Sequence, residues 1–325
     1  MVNRRSVMLK IAAGAATLGV ARAWAQDDKS TITVLVGAAT TMDATARLVS
    51  EYLREALGRP VITVSKLGAG GRVALGELRR SAPDGRMLMF STSSPFTIYP
   101  NIYTRLDYDA VADFTPIAGV CAFDVALAAG PAVPATDLKG VLDWARAAKP
   151  GEAMYGAAPG NGSASHFAGI GMALATNLPF AMVPYKDSTV AMGDLATGRL
   201  PLLITGTGAL VELHKAGRLR MIATSGNQPS LIVGDVPTFK DAGLDVVVVN
   251  SAGLYGPAKL PSEIVARLHG AMQQMLARED IRAKLVAMSM TPQPMTQPQL
   301  AASLADDRRY FARLVKDSGY QPEAS

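Results

Sequence analysis

Cysteine and histidine are scarce in this sequence of 325 residues. There is one cysteine, Cys121, and there are three histidines, His166, His214 and His269. One cysteine cannot form an intramolecular disulfide, and none of the histidines shows the spacing of a metal-binding motif. We therefore expect neither a metal site nor a bound cofactor.

Long apolar runs are missing beyond the N-terminus, although 49% of the residues are hydrophobic. The apolar stretch from Ile11 to Val20 is too short for a stable transmembrane helix, which needs about 20 residues. It follows Arg4, Arg5 and Lys10 and precedes a small-residue cleavage site that ends at Ala25. We predict an export signal over residues 1–25, cleaved after Ala25, and a periplasmic mature protein. The paired arginines leave both general secretion and twin-arginine export open.

A basic patch is also lacking. The 32 basic residues are matched by 27 acidic ones, and four basic but no acidic residues lie in the first 25 positions. The mature chain is thus nearly neutral, with its cations interspersed among acids. This pattern argues against binding to nucleic acid, which requires clustered cations.

The remaining length exceeds what one hydrophobic core usually holds, so two lobes are expected. Strands are predicted at 32–36, 60–64, 87–90, near 154, and at 181–183, 200–204, 219–224 and 246–249. Helices are predicted from about Asp43, at 73–80, at 137–148, from 163, and at 264–276 and 300–315. This alternation predicts an α/β fold of two doubly wound lobes. Lobe 1 would comprise 26–122 and 237–325, including the last two helices, and lobe 2 would comprise 123–236.

Ligands of open parallel sheets bind beyond the carboxyl ends of the strands. In this sequence the corresponding loops are rich in Gly, Ser, Thr and Ala. Small residues let backbone N–H groups approach a ligand, and helix N-termini favour anions. We predict that a small organic anion binds to the loops 37–43, 67–72, 91–97, 157–165 and 185–188.

Three stretches, in their order and spacing, resemble the periplasmic receptors of tripartite tricarboxylate transporters, the Bug family. They are Gly68-Ala69-Gly70-Gly71 with Ala82-Pro83-Asp84-Gly85, Val183-Pro184-Tyr185-Lys186, and Asp235-Val236-Pro237-Thr238 with Ala242-Gly243-Leu244. The resemblance implies a periplasmic binding protein-like fold of the Venus flytrap type, with a hinge between its lobes. It implies a non-enzymatic receptor that closes on a small carboxylate or related solute and delivers it to membrane subunits of the transporter. We expect a monomer.

The resemblance also supplies ligand-binding positions. They are Ala39, Thr40, Asp43, Gly68, Gly70, Gly71, Thr92, Ser93, Asn161, Ser163, Ser165, His166, Tyr185, Lys186 and Thr205. Five positions depart from the family pattern. Ala39, Thr40 and Asp187 stand where glycines are usual, and Thr205-Gly206 replaces an Asp-Asn pair. These departures imply an altered ligand preference.

Several of these residues also have a plain structural interpretation. Asp43 would either bind a donor on the ligand or cap the first helix. Gly68–Gly71 would either cradle a carboxylate or form a tight turn. Lys186 would contact the anion or pair with Asp187, and His166 would cap a helix or pack beside it.

An enzymatic interpretation starts from Ser163, Ser165 and His166, and from the glycines at 160 and 162. The segment lacks the elbow of a serine hydrolase, and Ser165 occupies the third glycine position of a dinucleotide loop. We therefore predict no enzymatic activity. Two alternatives stay open: a periplasmic sensor that presents its closed form to a signalling receptor, and an exported α/β hydrolase or dehydrogenase.

Overall fold

The computed structural model describes residues 30–38 and 41–322, so the predicted export signal, Ala39 and Thr40 lie outside the described residues. The chain divides into two compact units. Unit 1 comprises the described residues up to Ser91, with Val111–Ala118 and Leu254–Ala277. Unit 2 comprises Thr92–Ala110, Gly119–Gly253 and the described residues from Arg278 onward.

Ten strands and eleven α-helices are found in the described ranges. The strands are β1 (Ile32–Val36), β2 (Val61–Ser65), β3 (Met87–Thr92), β4 (Phe114–Ala129), β5 (Met154–Ala158), β6 (Ala181–Pro184), β7 (Leu202–Gly206), β8 (Arg220–Thr224), β9 (Val249–Pro257) and β10 (Thr291–Met295). The helices are α1 (Thr41–Leu57), α2 (Arg72–Arg80), α3 (Ser94–Thr97), α4 (Tyr99–Ile102), α5 (Leu138–Ala147), α6 (Ala164–Thr176), α7 (Ser188–Ala196), α8 (Thr207–Lys215), α9 (Ser262–Ala277), α10 (Glu279–Ala287) and α11 (Gln297–Ser318). None of these helices is both long and apolar enough to cross a bilayer.

Unit 1 is built on parallel strands, with β1 between β2 and β3. Helix α1 covers them because its apolar residues recur at helical spacing and form one buried face. That face includes Ala46, Val49 and Leu53, none of which is exposed. The helix ends at Leu57, where Gly58 turns the chain with a φ of 63°.

Unit 2 contains a sheet in the order β6-β5-β7-β4-β8, in which β5 is parallel to β6 and β7 and β4 is antiparallel to its neighbours. Successive residues of β4 point to opposite faces. Leu127 and Ala129 enter a core shared with α5, α6 and α11. Ala126 and Ala128 enter a second core shared with α7 and α8. Helices thus cover both faces of the sheet, which confirms the predicted α/β class.

Helix α11 begins with a capping box formed by Thr296 and Gln299. The Gln299 N–H donates to Thr296 Oγ1 over 3.3 Å, and the Thr296 N–H donates to Gln299 Oε1 over 2.8 Å. Phe311 of this helix packs on Phe167 of α6, with ring centroids 5.4 Å apart. Helix α9 lies in unit 1 and helix α11 lies in unit 2. The predicted lobe boundaries stay a prediction.

Candidate ligand-binding loops

Three loops of unit 2 meet at the carbonyl oxygen of Ala158, the last residue of β5. The Ser165 hydroxyl donates to this oxygen over 3.1 Å, and the Thr205 hydroxyl donates over 2.7 Å. Because the Thr205 proton is used in that bond, the Ser188 hydroxyl 2.8 Å away donates to Thr205. One carbonyl and three hydroxyls therefore hold together the end of β5, the end of β7 and the first turns of α6 and α7.

The N-terminus of α6 is closed by Ser163, which accepts from the His166 N–H over 3.2 Å. The Ser163 hydroxyl group donates a hydrogen bond to the Pro159 carbonyl oxygen, with 2.5 Å between the two oxygens. His166 Nδ1 accepts from the Gly162 N–H over 3.3 Å, and its buried ring packs against Tyr320 with centroids 5.5 Å apart. These are the contacts that the structural interpretation of His166 expects, and a contact between His166 and the ligand stays a prediction.

The N-terminus of α7 lies beside that of α6. Asp187 is its N-cap and accepts from the N–H groups of Thr189 and Val190 over 2.9 and 3.2 Å. A Cβ added to Gly160 would lie 3.4 Å from the Tyr185 backbone nitrogen, so the two loops touch. Lys186 is exposed. Two helix N-termini and one exposed cation thus share this edge of unit 2.

The hydroxyl group of Tyr185 is directed away from the loop edge toward α7. It donates to Asp194 Oδ2 over 2.9 Å. Burial, and then the bond to Asp194, raise the pKa of Tyr185 above its usual value. Tyr185 therefore stays protonated at neutral pH and serves to fix the β6–α7 loop on its helix.

Loss of the α6 cap gives the first test of this geometry. Ser163→Ala is expected to lower the free energy of unfolding by about 1 kcal/mol, because the His166 N–H loses its acceptor. Urea unfolding followed by circular dichroism measures this change. Ser163→Thr keeps the oxygen and is expected to stay near the wild type. An alanine variant as stable as the wild type would contradict the capping role.

Thr92 is the last residue of β3 and Ser93 follows it, and both belong to unit 2 rather than to unit 1. Ser93 is buried, and its N–H donates to the Ser251 carbonyl over 2.7 Å. The next residue, Ser94, donates to Asn250 Oδ1 over 2.7 Å. This third loop is therefore fastened to the start of β9.

In unit 1, Asp43 lies inside the first turn of α1, which begins at Thr41. Its carboxylate accepts from the Ser65 hydroxyl at the end of β2 and from Arg47 Nε over 2.7 Å. These bonds hold the pKa of Asp43 below its usual value, with Ser65 contributing most. The N-cap interpretation is wrong because an N-cap residue precedes its helix. Asp43 instead ties α1 to β2.

The glycine-rich turn of unit 1 has an unusual backbone. Gly68, Ala69, Gly70 and Gly71 all have positive φ, at 132°, 46°, 64° and 92°. Side chains with a Cβ disfavour this left-handed path, so glycine is required for conformational reasons. A Cβ on Gly37 would lie 2.5 Å from Gly71 Cα, so two glycine backbones are in contact. The tight-turn interpretation is confirmed, and the carboxylate cradle stays a prediction.

Within the described ranges, no group of three or more His, Cys, Asp or Glu residues is placed to hold a metal ion. Cys121 is buried in β4, and burial raises its pKa to about 12. A thiolate at this position would not form at neutral pH.

The structure brings most of the predicted positions into two groups. The unit 2 group is Asn161, Ser163, Ser165, His166, Tyr185, Lys186 and Thr205. Thr92 and Ser93 belong to the same unit, on the loop fastened to the start of β9. The unit 1 group is Asp43, Gly68, Gly70 and Gly71. Sequence reasoning missed Ser188 and Asn250. Ser188 lies at the end of the predicted loop 185–188 but was not among the named ligand-binding positions. The only sequence signal for Asn250 is that a polar residue directly follows the apolar run Val246–Val249.

Both units are doubly wound α/β units with polar loops and helix N-termini at the carboxyl ends of their strands. Solved structures show that the fold is periplasmic binding protein-like. A solved structure described as a periplasmic transporter has a TM-score of 0.77 and 29% identity, and the match covers 90% of this chain and 98% of that chain. MatC from Rhodopseudomonas palustris, solved with bound malate, has a TM-score of 0.73 and 26% identity over 88% of this chain and 98% of its own.

Residues 45–320 match the model of the tripartite tricarboxylate transporter family receptor, TctC, and the chain belongs to this family. The family of solute-binding receptors predicted from the sequence is thereby confirmed. A curated relative, a UPF0065 protein of Bordetella bronchiseptica, is 28% identical over 289 residues, which are 89% of this chain and 85% of the relative.

Proposed function

We propose that this chain is a periplasmic receptor that captures a small organic anion, a carboxylate or a related solute, for the membrane subunits of a tripartite tricarboxylate-type transporter. The observation that carries the proposal is the pair of adjoining helix N-termini in unit 2, held by the Ala158 carbonyl and accompanied by exposed Lys186. Family membership and the malate bound to MatC support a carboxylate ligand.

The physical basis is an anion site built mainly from peptide groups. First-turn N–H groups have no partner within their own helix, and each helix N-terminus carries roughly half a positive charge. At α6 the cap is the neutral Ser163, so its field is available to a carboxylate. At α7 the Asp187 carboxylate offsets the field. We therefore place the carboxylate of the ligand at α6, and a hydroxyl or amine of the ligand near Asp187.

A matched pair of threonines tests this assignment. Thr205 and Thr224 are both buried strand residues of unit 2, but Thr205 Oγ1 makes two hydrogen bonds, whereas Thr224 Oγ1 makes none with any described residue. Thr205→Val removes a bond from Ala158 and the acceptor of Ser188, which loosens the three loops. We expect the Kd for a bound carboxylate to rise about tenfold, or 1.4 kcal/mol. Thr224→Val is expected to bind as the wild type does.

Isothermal titration of ligand-stripped mature protein with malate, succinate and adipate measures these constants, with the corresponding diamides as uncharged controls. We expect at least one acid to bind and its diamide not to bind. We also expect Thr205→Val to weaken this binding and Thr224→Val to leave it unchanged. Failure of all three acids to bind, together with no anion in mass spectra of the native protein, would overturn the proposal.

A further inference from the structure

A polar cavity lies within unit 2, and none of its lining residues belongs to the loops that meet at Ala158. It has a volume of about 150 Å³ and is bordered by the start of β9, by β10 and by α11. Its polar lining includes Asn227, Ser251, Gln293, Ser303, Asp307 and Tyr310. At about 30 Å³ per water molecule, it holds roughly five waters or one small organic ion.

Asp307 is the acid of this cavity. No hydrogen bond or ion pair reaches its carboxyl group from the described residues, and burial, with a contribution from Asp306, raises its pKa to about 6. The two cations that directly follow Asp307 on α11 are engaged with other groups. Arg309 pairs with Asp306, and Arg308 Nη1 donates to the Phe96 carbonyl over 2.9 Å.

Two further oxygens of the lining are unsatisfied. Ser251 is 4% exposed, and its Oγ makes no hydrogen bond within the described part of the chain. Gln293 Oε1 is likewise buried and without a donor among the described residues. A buried polar atom without a partner costs about 1–3 kcal/mol, so such atoms indicate that something else completes the site.

We propose that this cavity binds a small cation that donates hydrogen bonds, of the ammonium or primary alkylammonium class. Such an ion places its positive charge against Asp307 and gives N–H donors to Ser251 Oγ and Gln293 Oε1. A bare metal cation neutralises the charge but needs several close oxygen ligands, and this lining offers one carboxylate. The assignment goes beyond the proposed anion receptor, because it concerns a separate site and a ligand of opposite charge.

The test uses the mature protein, dialysed free of amines, at pH 7.5. Ammonium and methylammonium chloride are titrated against sodium and tetramethylammonium chloride at matched ionic strength, and Tm and the heat of binding are recorded. We expect a saturable rise of a few degrees in Tm with ammonium and methylammonium alone. Asp307→Asn is expected to weaken their binding at least tenfold, and Ser251→Ala severalfold.

Asp317→Asn is the matched control, since Asp317 is an exposed carboxyl of the same helix, roughly 15 Å along its axis from Asp307, and its loss is expected to leave binding unchanged. An equal response to sodium, an equal response in Asp307→Asn, or no response to any cation would overturn the proposal; the last result would mean that water alone fills the cavity. Carboxylate binding is measured on the same samples, so failure here is distinguishable from failure of the anion receptor.

Discussion

Replacing Gly169 by alanine is expected to lower the free energy of unfolding by roughly 3 kcal/mol, one of the largest effects available in this chain. Gly169 lies in α6, and a Cβ at this position would stand 2.1 Å from Cζ of Tyr155. The Tyr155 ring is 2% exposed, and its hydroxyl donates to the His166 carbonyl over 3.3 Å. The ring cannot move without shifting α6, whose N-terminus forms part of the candidate anion site.

Gly193 provides the matched control for this substitution. It is also a helical glycine of unit 2, but no atom lies within 4 Å of the Cβ it would gain. Gly193→Ala is expected to raise stability by about 0.5–1 kcal/mol, because alanine favours helix more than glycine does. Denaturant midpoints of both variants measure the contrast. Tyr155→Leu is expected to restore part of the stability lost in Gly169→Ala, and equal stability of the two alanine variants would contradict the packing argument.

Asp307→Asn is expected to stabilise the amine-free protein at neutral pH by about 2–3 kcal/mol, since each unit of pKa difference between the folded and unfolded states is worth about 1.4 kcal/mol. The pKa of Asp307 is raised from 3.8 to about 6 on folding. A raised carboxyl pKa means that the folded state resists ionisation. The free energy of unfolding therefore rises as the pH falls through 6. Below about pH 4 Asp307 is protonated in both the folded and the unfolded state, so its contribution no longer changes with pH.

The pH profile separates this effect from a general change in packing. The gain from Asp307→Asn should be full above pH 7, shrink between pH 6 and pH 4, and vanish below pH 4. Urea unfolding at a series of pH values, in buffers free of amines, measures it. A gain that is independent of pH would show that desolvation of the Asp307 carboxylate is not its source.

Periodicity and turn residues were enough to predict most of the fold. The strand at Ile32–Val36 was found with its correct ends, because an apolar run bounded by turn residues has few other interpretations. The long strand β4 was missed, since its sixteen residues show no alternation when both faces are buried. The strand expected at 246–249 is displaced, and β9 begins at Val249.

The sequence predicted which loops form the candidate site, but not the hydrogen bonds between them. Parallel strands bring their carboxyl ends to one edge, so Ser163, Tyr185 and Thr205 were expected together from their positions in the chain. Which hydroxyl bonds to which carbonyl depends on side-chain rotamers and could not be predicted. The polar cavity joins positions 251, 293 and 307, and no local pattern links residues so far apart in sequence.

The left-handed turn at residues 68–71 limits where this edge of unit 1 can vary. Handedness alone demands glycine at most of these positions, whatever the ligand. We predict that substitutions which change solute preference near this turn fall on its neighbours rather than on the turn itself. Leu67 and Val73 flank the turn, and their side chains are 58% and 50% exposed. Substitutions at these two positions can change the surface beside the turn without changing its backbone conformation.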